Sequence, residues 1–354
     1  MTQTDLPAQS PPIDKAETEQ TKTPRWWQGD GAEPVRRNLG LIGVLVILVI
    51  IGIVTKPDLY GDAGWVGNNI LTILQQASAI GVITVGVTFV IIGGGIDLSV
   101  GAIIALAGVW STTLATQSFG AAGMIFTAVA VGVCVGLVNG LLISYGRLVP
   151  FIATLAMMVA ARGLAAQISG KQTQVSANDT INAIATTDVL GIPLLIIILA
   201  VVVAAGWVLL NRTTFGRRTV AVGGNPEAAR LAGIDVRRHT LLLYALSGLC
   251  CGIGAVMLTS QATSAQAAMA NLYELDAIAA AIIGGTLLTG GRGTIIGALF
   301  GVLVFSTITN LFAINNLSTE VQNMVKGGII VAAVLIQQFR YRSLTQLLGR
   351  RASA

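Results

Sequence analysis

Apolar residues along this chain gather in long runs, and polar residues gather in the short stretches between them. At roughly 20 apolar residues per bilayer crossing, the runs predict about ten helical spans. They lie near 39–55, 66–92, 98–117, 122–145, 148–168, 190–210, 240–260, 277–291, 294–313 and 321–339. The fifth contains Arg162 and the tenth Lys326. The eighth is short and Gly-rich, so it reads as a broken or re-entrant helix. Eight or nine crossings plus a re-entrant segment fit the same pattern. The expected fold is therefore all-α, a polytopic membrane helical bundle with Gly-rich breaks.

The ends differ from the middle. Residues 1–37 are rich in Pro, Thr, Gln and mixed charge, with no apolar periodicity, and read as a disordered tail. That tail is too long and too mixed in charge for a secretory signal. The run from Leu39 to Thr55 has no small-residue cleavage site after it, so it is expected to stay as the first span. Residues 38–340 form the membrane domain, and 341–354 a basic C-terminal tail.

Charge gives the spans a direction. With Arg36 and Arg37 holding the N-terminus in the cytoplasm, alternation places Lys56, Asp58, Asp62, Lys171, Asp179, Asp188, Glu274, Asp276 and Glu320 outside. Inside fall Arg147, Arg212, Arg217, Arg218, Arg230, Arg237, Arg238, Arg292, Arg340, Arg342, Arg350 and Arg351, as the positive-inside rule requires. Both termini are then cytoplasmic. A slip of one span would put the arginine-rich 211–239 loop on the wrong side.

Composition agrees. The 354 residues are 54% hydrophobic and 10% charged, where a soluble domain carries about 25% charge. Mean hydropathy is +0.78. These values exclude an ordinary soluble enzyme and a disordered protein. The net charge of +5 comes from inward arginines rather than from a nucleic-acid-binding face. Cys134, Cys250, Cys251 and the one histidine, His239, have no metal-ligand spacing, so neither a zinc site nor a disulfide framework is expected.

Several motifs carry physics. Gly132, Gly136 and Gly140, Gly293, Gly297 and Gly301, and the pair Gly248 and Gly252 recur at four-residue spacing. Such spacing clears a helix face for close approach, for static packing or for sliding. The run Gly93-Gly94-Gly95-Ile96-Asp97-Leu98-Ser99-Val100-Gly101 should break the second span, since each glycine costs about 1 kcal/mol against Ala in a helix. Asp97 and Ser99 then stand at the next helix start, where Asp97 caps free N–H groups or lines a path. A second interruption, Ile283 to Gly293, follows Glu274 and Asp276, so a duplicated architecture with a site at the repeat interface is a hypothesis.

The inward loop contains Gly223-Gly224-Asn225-Pro226-Glu227-Ala228-Ala229-Arg230-Leu231-Ala232-Gly233-Ile234. Pro226 suits the first turn of a short helix, with Asn225 as its cap and Glu227 near the positive end of the dipole. Ala228, Leu231 and Ala232 share a face, and Gly233 supplies a stop. A short exposed helix of this kind reads as a docking peg for a soluble partner.

The segments GGGIDLSVG (93–101), VNGLLISYGRLVPFIATL (138–155), TTFGRRTVAVGGNPEAARLAGI (213–234) and ELDAIAAAIIGGTLLTGGRGTIIGALFGVL (274–303) resemble the sugar-import permeases of bacterial ABC transporters, of the ribose, xylose, fructose and galactoside type. The resemblance spans about 39–340. It implies a multi-pass permease of the bacterial inner membrane, working as a homodimer. Its implied partners are a cytoplasmic ATP-binding subunit and an extracytoplasmic sugar-binding protein. Glu227-Ala228-Ala229 with Gly233 resembles the loop by which such permeases dock their ATPase. Asn225, Glu227, Ala228, Ala229 and Gly233 are thus the candidate coupling residues, with 211–239 as the coupling loop. No cofactor, metal or catalytic residue is expected, and no GxxxxGK[ST] occurs, so ATP hydrolysis would belong to a partner chain.

Uncharged polar residues within spans (Gln75, Gln76, Thr84, Thr88, Asn139, Ser144, Asn310 and Asn323) suit a neutral cargo. Asp97, Ser99, Gln75, Asn139 and Asn310 are the candidate translocation-path residues. The alternative is an ion-coupled secondary carrier for a small neutral solute, which calls for ionisable groups deep in several spans. A membrane-embedded enzyme lacks its catalytic constellation.

Overall fold

The structure, a computed structural model, describes residues 33–332 and residue 335. In chain order its helices are α1 (Glu33–Thr55), α2 (Pro57–Tyr60), α3 (Ala63–Ile92), α4 (Val100–Ser111), α5 (Leu114–Gln117), α6 (Gly120–Ser144) and α7 (Pro150–Ile168). There follow α8 (Asp179–Ala183), α9 (Leu194–Arg212), α10 (Thr214–Gly224), α11 (Pro226–Leu231), α12 (Val236–Ala262), α13 (Tyr273–Ile283) and α14 (Ile295–Ile314). Residues 319–332 are helical again. Two antiparallel two-residue ladders join β1 (Gln174–Val175) to β4 (Ser264–Ala265) and β2 (Asp188–Val189) to β3 (Ile192–Pro193). The predicted tails at 1–32 and 341–354 lie outside the described residues, while 33–37 are already part of α1.

Seven described helices are long and apolar enough to cross a membrane: α1, α3, α6, α7, α9, α12 and α14. The predicted third span is divided, since α4 stops at Ser111 and a separate α5 follows. The predicted eighth is shorter than expected and shifted. Helix α13 ends at Ile283, and 284–294 are non-helical. Glu274 and Asp276, expected in an outer loop, instead occupy the first turn of α13, and Glu274 is only 6% exposed. In lipid every backbone group needs an internal partner, and helices supply it within one segment. Where helices start, side chains take the orphan N–H groups. Asp62 accepts from Gly64 N (2.8 Å) and Trp65 N (3.3 Å), and Thr294 accepts from Gly297 N (3.1 Å).

The centre is built from α3, α4 and α12. Every residue of α3 from Gly81 to Ile92 is buried, as is all of α4 except Trp110. Helices α6 and α12 run antiparallel with their glycine rows facing. A Cβ on Gly132 would strike the backbone of Gly248 and Gly252, and one on Gly136 that of Tyr244 and Gly248. The predicted rows therefore serve close packing. Gly297 and Gly301 likewise lie on the backbone of Gly284 and Ala280, joining α14 to α13. Helix α1 lies at the periphery and leaves most of its apolar length uncovered. Its Arg37 Nη2 donates to Thr294 Oγ1 (3.1 Å) and Nη1 to Gly285 O (3.3 Å).

Candidate coupling site and translocation path

Helix α11 forms as its sequence dictates. Asn225 caps it by accepting from Ala228 N (3.0 Å), and Pro226 occupies its first turn. Two bonds close the far end, Gly233 N to Arg230 O (2.9 Å) and Ile234 N to Ala229 O (3.0 Å). This pairing requires a left-handed residue after the cap, and Gly233 supplies it at φ 82°. Ala229 is buried and roots the helix, whereas Ala228, Ala232 and Leu231 (88% exposed) present an uncovered apolar face. Glu227 is held by Arg230 at 2.8 Å on the surface, a contact worth little by itself.

The preceding α10 ties this peg to the membrane helices. Its buried Thr219 Oγ1 lies 2.9 Å from His239 Nε2 at the start of α12. Phe215 packs on the His239 ring (4.7 Å between centroids) and on Phe89 of α3 (6.1 Å). At its end, Gly223 sits directly on Ile92 O, an oxygen that also accepts from Gly291 N (2.8 Å). A Cβ on Gly290 would lie 2.8 Å from Gly223 O and 2.9 Å from Gly94 Cα. Three glycine-rich segments, 93–95, 223–224 and 290–291, thus meet with no side chain between their backbones. Both predicted breaks are joined to the 211–239 loop at one point.

Asp97, Ser99 and Asn139 come together as one enclosed network, each 0% exposed. Asp97 Oδ1 accepts from Ser99 N (3.0 Å) and Ser99 Oγ (2.6 Å), and Oδ2 from Ser247 Oγ (2.9 Å). Asn139 Nδ2 donates to Ser99 Oγ (2.8 Å). Asp97 therefore organises the turn before α4, pinning it to α6 and α12. Tyr244 OH and Thr154 Oγ1 donate to Ile96 O (3.1 and 3.4 Å) and brace the same turn. The other two candidates stand apart. Asn310 Nδ2 donates to Asn69 Oδ1 (3.0 Å), linking α14 to α3. Gln75 is half-buried, and its main-chain carbonyl accepts from Gln261 Nε2 (3.3 Å).

Sequence reasoning missed Ser247 and Tyr244, and it did not foresee the partners of the charged groups on α7 and α13. Arg162 Nη1 donates to Ala267 O (2.8 Å), while Glu274 Oε2 lies against Gly101, which has no side chain to displace it. Asp276 Oδ2 accepts from Lys326 Nζ (3.0 Å), a pair only 15–19% exposed. No local signal marks Ser247, because its partner is 150 residues away.

A profile of the family described as "Branched-chain amino acid transport system / permease component" matches residues 69–334. The ribose import permease protein of Bacillus subtilis (strain 168) is 40% identical over 306 residues, covering 86% of this chain and 94% of that protein. Its counterpart in Escherichia coli (strain K12) is 36% identical over 301 residues, covering 84% and 92%. An L-arabinose ABC transporter permease protein of Azospirillum brasilense is 37% identical over 303 residues, covering 85% and 87%. No solved structure matches the chain.

Proposed function

This chain belongs to that permease family, and from its membership we propose that it forms the membrane path of an ATP-driven, binding-protein-dependent importer for a neutral monosaccharide. The permease is not itself an enzyme; ATP hydrolysis belongs to a separate subunit. The cargoes named for its relatives, the pentoses ribose and L-arabinose and the hexose galactose, support a pentose or hexose. The observation that carries the coupling role is α11, a capped, rooted helix whose Leu231 is 88% exposed. We assign its apolar face to the ATP-binding subunit, with Asn225 and Gly233 setting its shape and Glu227, Ala228 and Ala229 its surface and root.

Force applied at α11 reaches α10, then Gly223, then the turns at 93–95 and 290–291. These turns lead into α4 and out of α13, two helices of 12 and 11 residues, each shorter than a full crossing. Asp97, Ser99 and Asn139, enclosed from solvent, hold α4 in register beside the path. Gln75 and Asn310 supply uncharged polar groups on α3 and α14. In this reading the chain crosses the inner membrane about ten times, with α4 and α13 as broken crossings and both termini in the cytoplasm. Two copies, an ATP-binding pair and an extracytoplasmic sugar-binding protein complete the transporter. Residues 38–340 act as the permease domain, with 211–239 as its coupling loop.

Reconstitution of the full chain with its ATP-binding subunit and sugar-binding protein in liposomes tests this reading. Radiolabelled ribose, arabinose and galactose should enter only when ATP and the binding protein are both present. Uptake driven by an ion gradient without either would replace the importer by a secondary carrier.

A further inference from the structure

At the arginine-rich end of the molecule, a cleft of about 660 Å³ opens between the α6–α7 turn and the segment joining α11 to α12. Ser144, Arg147, Arg230, Ile234, Asp235 and Arg237 line it. Its charges are unevenly engaged. Arg230 is paired with Glu227 at 2.8 Å. Asp235 is spent on Arg238, accepting from its backbone N (3.1 Å) and its Nε (3.0 Å). Among the described residues, Arg147 and Arg237 form no ion pair. The cleft thus holds two guanidinium groups with no carboxylate left to answer them.

The setting of Arg147 narrows the choice of anion. Its backbone has φ 56°, a region that L residues rarely adopt, although glycine is available next door at Gly146. Arg147 thus carries its charge on a left-handed turn at the mouth of the cleft. Close to it along the chain, at the end of α6 and the start of α7, are Tyr145 (48% exposed), Val149 (58%), Phe151 (49%) and Ile152 (58%), all uncovered. A basic recess followed in the chain by an uncovered apolar helix start has the two-part chemistry of a phospholipid: an anionic head and acyl chains. Its volume lies within the range of small-molecule sites.

We propose that this cleft is a binding site for the phosphate of an anionic phospholipid headgroup, held by Arg147 and Arg237, with the acyl chains lying along Val149 and Ile152. Each arginine near a membrane phosphate contributes about a fivefold preference, so two give about 25-fold for an anionic over a zwitterionic lipid. The site is separate from the sugar path and does not depend on which cargo is carried.

Native mass spectrometry of the full-length protein in detergent, with phosphatidylglycerol and phosphatidylcholine in competition, tests the assignment. The wild type should retain phosphatidylglycerol with a preference on the order of 25-fold. The R147Q/R237Q double variant should lose that preference, and Arg217→Gln, an arginine outside the cleft, should keep it. Arg147→Gly relieves the backbone and removes the charge, so it should match or exceed wild-type thermal stability while losing lipid; Arg147→Lys should keep lipid. An unchanged preference in R147Q/R237Q overturns the proposal. So does equal displacement of the lipid by millimolar glycerol phosphate or inorganic phosphate, which would make this a soluble-anion site. Loss of ATP-binding-subunit capture by the double variant in lipid-free detergent, with lipid preference intact, would reassign the cleft to protein docking.

Discussion

Replacing Gly248 with alanine tests the α6–α12 contact on which the central bundle depends. A Cβ there would strike Gly132 O and come within 2.9 Å of Gly132 C and 3.1 Å of Gly136 Cα. Carbon atoms prefer about 3.5–4.0 Å, so the two helices would have to part by several tenths of an ångström or more. Nothing can yield locally, because all three obstructing atoms are backbone. Overpacking of this kind costs about 1–3 kcal/mol, and a radial gap of 0.5–1 Å forfeits roughly a quarter to a half of each facing contact. Against this, alanine recovers up to about 1 kcal/mol of helix propensity over glycine. The separation also strains the bond from Asn139 on α6 to Ser99, whose other partner, Asp97, is held by Ser247 on α12. With that offset taken off, the balance is a net loss of about 1–2 kcal/mol, read as a fall of a few degrees in Tm for the detergent-purified protein. Gly163→Ala is the matched control, since a Cβ there meets nothing within 4 Å. It should leave Tm unchanged or raise it. Equal Tm values for the two variants would refute the claim that these helices touch through bare backbone.

Other substitutions probe the coupling route and the buried charges. Leu231→Asp should leave insertion normal but cut co-purification of the ATP-binding subunit about tenfold or more, and Glu227→Arg should weaken it in the same direction. Full retention by both would remove α11 from the interface. His239→Ala deletes the Thr219 contact and half of an aromatic stack. It should lower the ratio of sugar-stimulated to basal ATP hydrolysis in proteoliposomes, with the complex still assembled. Asp97→Ala strands three buried donors at about 1–3 kcal/mol each, so folded yield should collapse. Asp97→Asn, which keeps one acceptor oxygen, should recover part of that yield. Lys326→Met should destabilise more than Lys326→Met with Asp276→Asn, because the single change leaves a carboxylate only 15% exposed without its partner.

What the sequence made legible was what local chemistry decides. The α11 helix, its Asn225 cap and its Gly233 stop rest on residues within one short segment, and all three take the expected form. The glycine rows were readable as close-approach faces, and the run at 93–95 as a break. Their partners were not readable, because Gly223 meets Ile92 and Gly291 only after the chain has folded back on itself. Loop assignment failed at Glu274 and Asp276 for a physical reason. Charge marks a loop unless the group finds a partner, and Lys326 answers Asp276. Helix count suffered likewise, since α4 and α13 are shorter than a bilayer requires and only their neighbours make them part of the bundle. Among the candidate path residues, Asp97, Ser99 and Asn139 form one network, which residue type alone did not foretell.

The fastening of α1 has a consequence for biosynthesis. Apart from its own turn into α2, the first helix packs chiefly on α14, and Arg37 reaches residues 248 and 257 positions further on. During synthesis α1 must therefore wait in the bilayer, its apolar faces against lipid, until nearly the whole chain has emerged. A transcript cut short before Gly285 would yield a chain whose first segment never finds its seat. Such a product would present a loose helix to the membrane proteases that police unfinished proteins.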